Sequence, residues 1–395
     1  MEIAVSALME RTCLLLPHIR VSRGWVLLLS STIWIAQSFA APPPDLREEF
    51  AKLESDMSAA EDTYLAALES LDQPEDGRPH SGENKPQVKP PDGRVAVLKR
   101  MDALVDSATG SPDAAFLTLQ TFLWSVGIEP EAMHRRFQKV MKVCVDESDL
   151  AEFVLQVPSL YDGSEAGQDW AKSLDQLANM SKNEQVRLAS RFASARIFLE
   201  LGRLPDAKKS FEDVIKQATD PDLQRLAKGF VFEVEHLQVG MSAPDFQTKS
   251  LDGKDVALQS FRGKIVLIDF WATWCPNCIS DIPRHKETVS RLSGKPFEII
   301  GVSVDADREA LARALKVLTP PGVQTWDPKG EENPIAELFN VQELPTSFLI
   351  DRDGAIRARD YPTDRLAEAV EALLDGKPLP PAKPQDPIPS APAKP

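Results

Sequence analysis

The sequence predicts an α/β domain with a mixed central sheet, carried behind an all-α segment. Three observations predict it. Two nearly continuous apolar runs, KIVLIDF (264–270) and FEIIGVSV (297–304), read as strands buried on both faces. The runs TSFLID and AIRARD flank Arg352-Asp353-Gly354, a hairpin signal, and the helix-period stretch TDRLAEAVEALLDG follows. Upstream, residues 94–237 carry apolar faces at helical spacing throughout.

The bulk numbers fit more than one unit. A chain of 395 residues with 43% hydrophobic residues exceeds one typical core. Its net charge of −15 argues against nucleic acid as a partner, because phosphate-backbone binding needs a basic face. Four cysteines, Cys13, Cys144, Cys275 and Cys278, make no disulfide scaffold. No second CxxC or His pair accompanies Cys275 and Cys278, so the pattern does not give a structural zinc site.

Residues 1–40 read as an export signal. Arg20 and Arg23 precede GWVLLLSSTIWIAQSFA, whose apolar stretch falls short of the roughly 20 residues needed to span a bilayer. Ser38-Phe39-Ala40 gives the small-x-small pattern of a cleavage site. The expected location is periplasmic or otherwise exported, with membrane anchoring as the alternative if the signal is kept. Export places thiols where they tend to be oxidised.

From Leu46, apolar positions at Phe50, Leu53, Met57, Ala60, Tyr64, Ala67 and Leu71 form one stripe. Residues 45–71 are therefore an amphipathic helix docked on its own protein, or a short coiled coil. Residues 72–93, dense in Pro, Gly and charge, read as a linker. Within the helical domain, 94–237, Ser181 with Glu184 is a capping-box signature. Gly202 supplies a helix stop, and Pro205 sits in the first turn of the next helix. That helix places Ala207, Phe211 and Val214 on one face, and the pair of helices resembles a tetratricopeptide hairpin. Cys144 falls on an apolar helix face, as a small buried hydrophobe does.

Residues 238–376 change character. Asp252-Gly253 marks a hairpin, and GVQTW (322–326) is a short strand. Asp305 is the expected cap of ADREALARALKVL, Asn333-Pro334 opens another helix, and Thr363 and Gly376 bound the last one. Residues 377–395, rich in proline, have no means to bury a core and read as a disordered tail.

The chemistry is expected at DFWATWCPNC (269–278). A buried strand ends at Phe270, a short loop follows, and Cys275 falls where a helix begins. Unpaired N–H groups and the helix dipole stabilise a thiolate there and lower its pKa. Cys275 is the expected attacking thiol. Cys278, one turn on and facing more inward, is the resolving thiol. A disulfide across two residues closes too small a loop to stabilise much, so a catalytic role outweighs a structural one. Two carboxylates are candidates to move protons. Asp269 lies inside the apolar strand, where burial raises its pKa, and Asp281 lies three residues after Cys278 on the same helix face. Asp269 is preferred, since an acid near a helix start is stabilising anyway.

APDFQTKSLDGKDVAL, GKIVLIDFWATWCPNC, Pro283 and ELPTSFLIDRDG together resemble the thioredoxin-like superfamily, within it the TlpA/ResA-type exported thiol–disulfide oxidoreductases. The resemblance covers about 238–376. It implies a thioredoxin-like fold and a cis bond at Leu344-Pro345 facing the dithiol, with the Leu344 backbone pairing with an extended substrate. Trp274, Leu344, Pro345 and Thr346 are then the substrate-binding candidates. Asp269 matches the buried acid of thioredoxin, and Asp281 a position where the ResA-like subset carries Glu. No cofactor is expected beyond the Cys275–Cys278 disulfide, and no metal. The expected partners are protein disulfides, a membrane electron donor that re-reduces the enzyme, and a protein bound by the helices 94–237. Two rival readings are a peroxiredoxin-like thiol peroxidase and a helical partner-binding protein with an accessory redox domain. The first lacks a Thr-x-x-Cys arrangement, and Trp274 and Pro276 flank its thiol.

Overall fold

The computed structural model describes residues 21–22, 44–71 and 90–382, apart from 112, 126–127, 148–149 and 161–166. The export signal beyond Val21–Ser22, the linker up to residue 89 and the tail from residue 383 lie outside the described residues. The chain divides into two compact units, and the boundary falls inside the helix Glu184–Glu200, at Ser194.

The first unit is helical: α1 (Pro44–Leu71), α2 (Arg94–Ser107), α3 (Ala114–Ser125), α4 (Pro130–Val143), α5 (Leu150–Gln156), α6 (Gly167–Met180) and the start of α7 (Glu184–Glu200). The α1 stripe is covered by its own chain. Phe50, Leu53 and Met57 are buried with Val97, Leu98, Met101 and Leu104 of α2. Each such side chain taken from water contributes about 1.5–3 kcal/mol. A second core forms where α3, α4 and α5 meet. There Phe122 meets Phe153 edge-on at 5.1 Å, and Phe137 lies 5.0 Å from Trp170 of α6. Cys144 is 1% exposed, and burial pushes its thiol up to about 12, so it stays a protonated, inert hydrophobe. Asn183, rather than Ser181, caps α7: its Oδ1 accepts from the Gln185 and Val186 amides. The Ser181 hydroxyl is drawn away by Asp146, a partner 35 residues distant that a local motif does not register.

The second unit starts upstream of the composition change at 238. It holds the end of α7, α8 (Leu204–Gln217) and α9 (Pro221–His236), then the α/β region. Gly202 ends α7 in the left-handed region (φ 70°), Pro205 lies in the first turn of α8, and Ala207, Phe211 and Val214 are buried. β2 (Gln247–Lys249) and β3 (Asp255–Ala257) form the first hairpin. The main sheet comprises β4 (Ile265–Trp271), β5 (Phe297–Ser303), β6 (Val323–Trp326), β8 (Thr346–Ile350) and β9 (Ile356–Arg359), in the order β6-β5-β4-β8-β9. β4, β5 and β6 run parallel, while β8 and β9 are antiparallel to their neighbours. The mixed sheet of a thioredoxin-like α/β fold is thus present, preceded by helices.

Both faces of β4 are covered, which is why its sequence reads as one apolar run. Ile265 and Leu267 face a core with Leu366, Ala369 and Val370 of α13 (Leu366–Leu374). Val266, Ile268 and Phe270 face the other core, with Phe339 and with Leu311 of α11 (Arg308–Leu318). Two expected caps are replaced. Asp307 caps α11 through the Glu309 and Ala310 amides, which frees Asp305 for another task. Thr363 lies in a 3-10 turn before α13 and bonds Asp281 instead. Asn333 does cap α12 (Pro334–Leu338), accepting from the Ile335 amide at 2.9 Å. No helix of the described residues is long and apolar enough to cross a membrane.

Candidate active site

β4 delivers the chain to a loop, Ala272–Trp274, that a single buried carboxylate holds. Asp305, 2% exposed, accepts from the Thr273 amide (3.1 and 3.2 Å), the Thr273 hydroxyl (2.6 Å) and the Ser303 hydroxyl (2.8 Å). A buried carboxylate is tolerated when its lone pairs are filled, and these bonds fill them. Ser-x-Asp at the end of β5 was the sequence signal available, but nothing local says that Thr273, 32 residues earlier, is its partner.

Cys275 then caps α10 (Pro276–Arg291). Its Sγ accepts from the Cys278 amide at 3.2 Å, with Pro276 in the first turn and no acidic side chain there. The sulfur therefore occupies the place where an oxygen usually satisfies an orphan N–H. Cys275 and Cys278 are joined as a disulfide. The two differ from expectation in one respect: Cys275 is 0% exposed and Cys278 4%, so Cys278 is not the more inward of the pair. Both lie in one buried cluster with Phe270, Ala272 and Leu344. The adjacent edge is also occupied. Val21–Ser22 (β1) pairs antiparallel with Glu343–Leu344 (β7), Val21 opposite Leu344. Trp274, 48% exposed, flanks the pair.

Leu344-Pro345 is a cis peptide. Leu344 shares the buried cluster of the dithiol, and β7 is a strand edge that takes a partner. Thr346 is 1% exposed and its hydroxyl donates to the Glu343 carbonyl at 2.8 Å. That bond commits its side chain to closing the turn around Pro345.

Asp269 lies on the β4 face shared with Ile265 and Leu267, and Asp281 lies on α10 with Cys278. Asp269 pairs in register with Gly301 and Ser347. Burial pushes its carboxyl up to about 7, with Asp360 adding repulsion. Burial also raises Asp281, and Asp269 adds to this, while His285, Arg284 and Thr363 oppose it. His285 is the residue that sequence reasoning missed. It lies on α10 two turns past Cys278, 6% exposed, with Nδ1 3.6 Å from Asp269 Oδ2. Burial lowers its pKa against the pull of Asp281, which favours a neutral imidazole between two acids. A lone His on a helix carries no signal until the sheet brings Asp269 beneath it.

A disulfide at a strand-to-helix turn, with the cis Leu344-Pro345 segment in the same buried cluster and the buried Asp269 on β4, is the arrangement of a thioredoxin-type oxidoreductase. Residues 239–359 match the AhpC/TSA family. The thiol-disulfide oxidoreductase ResA of Bacillus thuringiensis subsp. konkukian is 34% identical over 149 residues, which are 38% of this chain and 84% of that protein. ResA of Geobacillus kaustophilus is 31% identical over 131 residues, 32% of this chain and 72% of that one. Among solved structures, the thioredoxin domain of a thiol-disulfide oxidoreductase from Bacteroides vulgatus is 30% identical. It covers 34% of this chain and 96% of its own, with a TM-score of 0.32. The chain belongs to the ResA family of thiol–disulfide oxidoreductases, and the helices before the α/β region lie outside the 239–359 match.

Proposed function

We propose that the protein is an exported reductase of protein disulfides. The observation that carries this reading is the Cys275 sulfur seated as the cap of α10, accepting from the Cys278 amide. In the reduced protein the same N–H groups stabilise a Cys275 thiolate. That thiolate attacks one sulfur of a substrate disulfide. The substrate S–S bond breaks, a mixed disulfide forms, and the departing sulfur takes up a proton. Asp269 accepts the proton of Cys278, directly or through His285, as Cys278 attacks Cys275. The mixed disulfide breaks, the second substrate thiol leaves, and the protein keeps the Cys275–Cys278 disulfide with its two electrons given up. A membrane electron donor restores the dithiol.

The Leu344 backbone receives the extended segment around the substrate cysteine, in the manner of strand addition, with Trp274 and Pro345 bordering it. Support comes from β7, which already carries Val21–Ser22 as an antiparallel partner. Those two residues belong to the stretch expected to leave on export. The mature chain therefore presents this edge free of those two residues. Export itself rests on the basic, apolar and small-residue order of residues 20–40.

Replacing Cys278 with serine tests the reading. Without a resolving sulfur, the Cys278→Ser protein accumulates a mixed disulfide between Cys275 and oxidised insulin. The adduct is cleaved by dithiothreitol and absent when Cys275 is also replaced. Absence of any adduct, with the wild type equally inert towards insulin, would sink the proposal.

A further inference from the structure

The helices outside the family match touch the substrate edge, and they do so through buried charge. Glu233, on α9, is 4% exposed. Its carboxylate accepts from Asn340 Nδ2 at 2.6 Å and pairs with Arg359 at the end of β9. Asn340 is itself 3% exposed, holds a left-handed backbone (φ 46°), and its Oδ1 accepts from Gln342 at 2.8 Å. The approach is close: a Cβ at Gly229 would lie 2.4 Å from that Oδ1, so a side chain at 229 displaces the Asn340 amide from its bonds with Glu233 and Gln342. Three residues on, Arg196 of α7 donates to Glu343 Oε1 at 2.8 Å, with both side chains under 20% exposed. The guanidinium lies over the Phe230 ring, which stacks on Phe211 at 5.1 Å. Finally, the Glu343 carbonyl accepts the Thr346 hydroxyl. Arg196 and Glu233 thus tie down 340–343 from the helical side, on the segment leading directly into Leu344-Pro345.

A buried charge pair is a poor source of net stability, because desolvation offsets most of the attraction. What it does supply is one geometry, since each partner is costly to leave unpaired. We infer that α7 and α9 are a buttress for the substrate edge: Arg196 and Glu233 are positioning residues that hold Glu343–Pro345 in the conformation that accepts an extended polypeptide. The inference rests on the strand-addition reading above. It makes the helices part of substrate recognition without a bound partner, and it restricts their effect to polypeptide substrates. A small disulfide reaches Cys275 without pairing to β7.

The test compares two substrates on the exported form, residues 41–395, in which Val21–Ser22 no longer occupies β7. Arg196→Gln raises KM for insulin about tenfold, the scale of one lost well-placed contact. Its kcat for insulin, and its rate with a small aromatic disulfide, stay within about twofold of wild type. Arg196→Lys, which keeps the charge, recovers most of the insulin KM. Gly229→Ala gives the same split through a purely steric change and serves if Arg196→Gln does not fold. Equal KM for insulin in variants and wild type, or equal loss on both substrates, would overturn the inference. A wild type inert on both would instead overturn the reductase reading on which it rests.

Discussion

With serine in place of Cys275, insulin reduction falls to the buffer background, a loss of at least about 1,000-fold or about 4 kcal/mol of transition-state stabilisation. The exchange changes one atom and leaves the fold intact. A hydroxyl can cap α10 as well as sulfur does, since serine is a preferred cap residue. It cannot serve as the nucleophile, because a serine hydroxyl stays protonated near neutral pH and is far less nucleophilic than a thiolate. The variant therefore keeps its thermal stability while losing its chemistry. That combination separates a reactive cysteine from a structural one, for which stability falls instead. Activity within tenfold of wild type would contradict the assignment.

At pH near 8, Asp269→Asn is more stable than wild type by up to about 4 kcal/mol, and at pH near 4 the two are alike. The sign follows from the shift. An unfolded Asp titrates near 3.8, whereas in the fold burial and Asp360 push Asp269 up to about 7. Between those values the native state holds a proton that the unfolded state has released. Stability from this group is complete below the lower value and is lost as pH rises through the upper one. Asparagine keeps the neutral shape without the ionisation. The same substitution removes the proton acceptor for Cys278, so turnover above pH 7 falls while stability rises. Chemical denaturation of both proteins across pH 4–8 measures it. Parallel stability curves would mean that Asp269 ionises in the fold as freely as it does unfolded.

Much of the α/β region was legible because its signals are local. KIVLIDF is a strand buried on both faces, Asp353-Gly354 turns a hairpin, Asn333-Pro334 starts a helix, and Cys275 stands at the mouth of α10. What was not legible depends on partners far along the chain. Ser181, Asp305 and Thr363 all carry cap-type side chains, and each is taken by a distant group: Asp146, Thr273 and Asp281. His285 looks like any polar residue on a helix until the sheet sets Asp269 against it. Glu233 reads as a solvated helix acid, yet it is buried against Asn340 and Arg359, more than 100 residues later. The change in composition at 238 marks where strands begin. The contacts of Glu233 and Arg196 show why the compact unit reaches further back.

The whole account turns on the acidity of one sulfur. Following the alkylation rate of the reduced protein against pH, with Cys278 replaced by serine so that a single thiol reports, gives the pKa of Cys275 directly. A helix-capped thiolate predicts a value below about 7.5; a value at or above about 8.5, that of an ordinary cysteine, would contradict the mechanism at its first step.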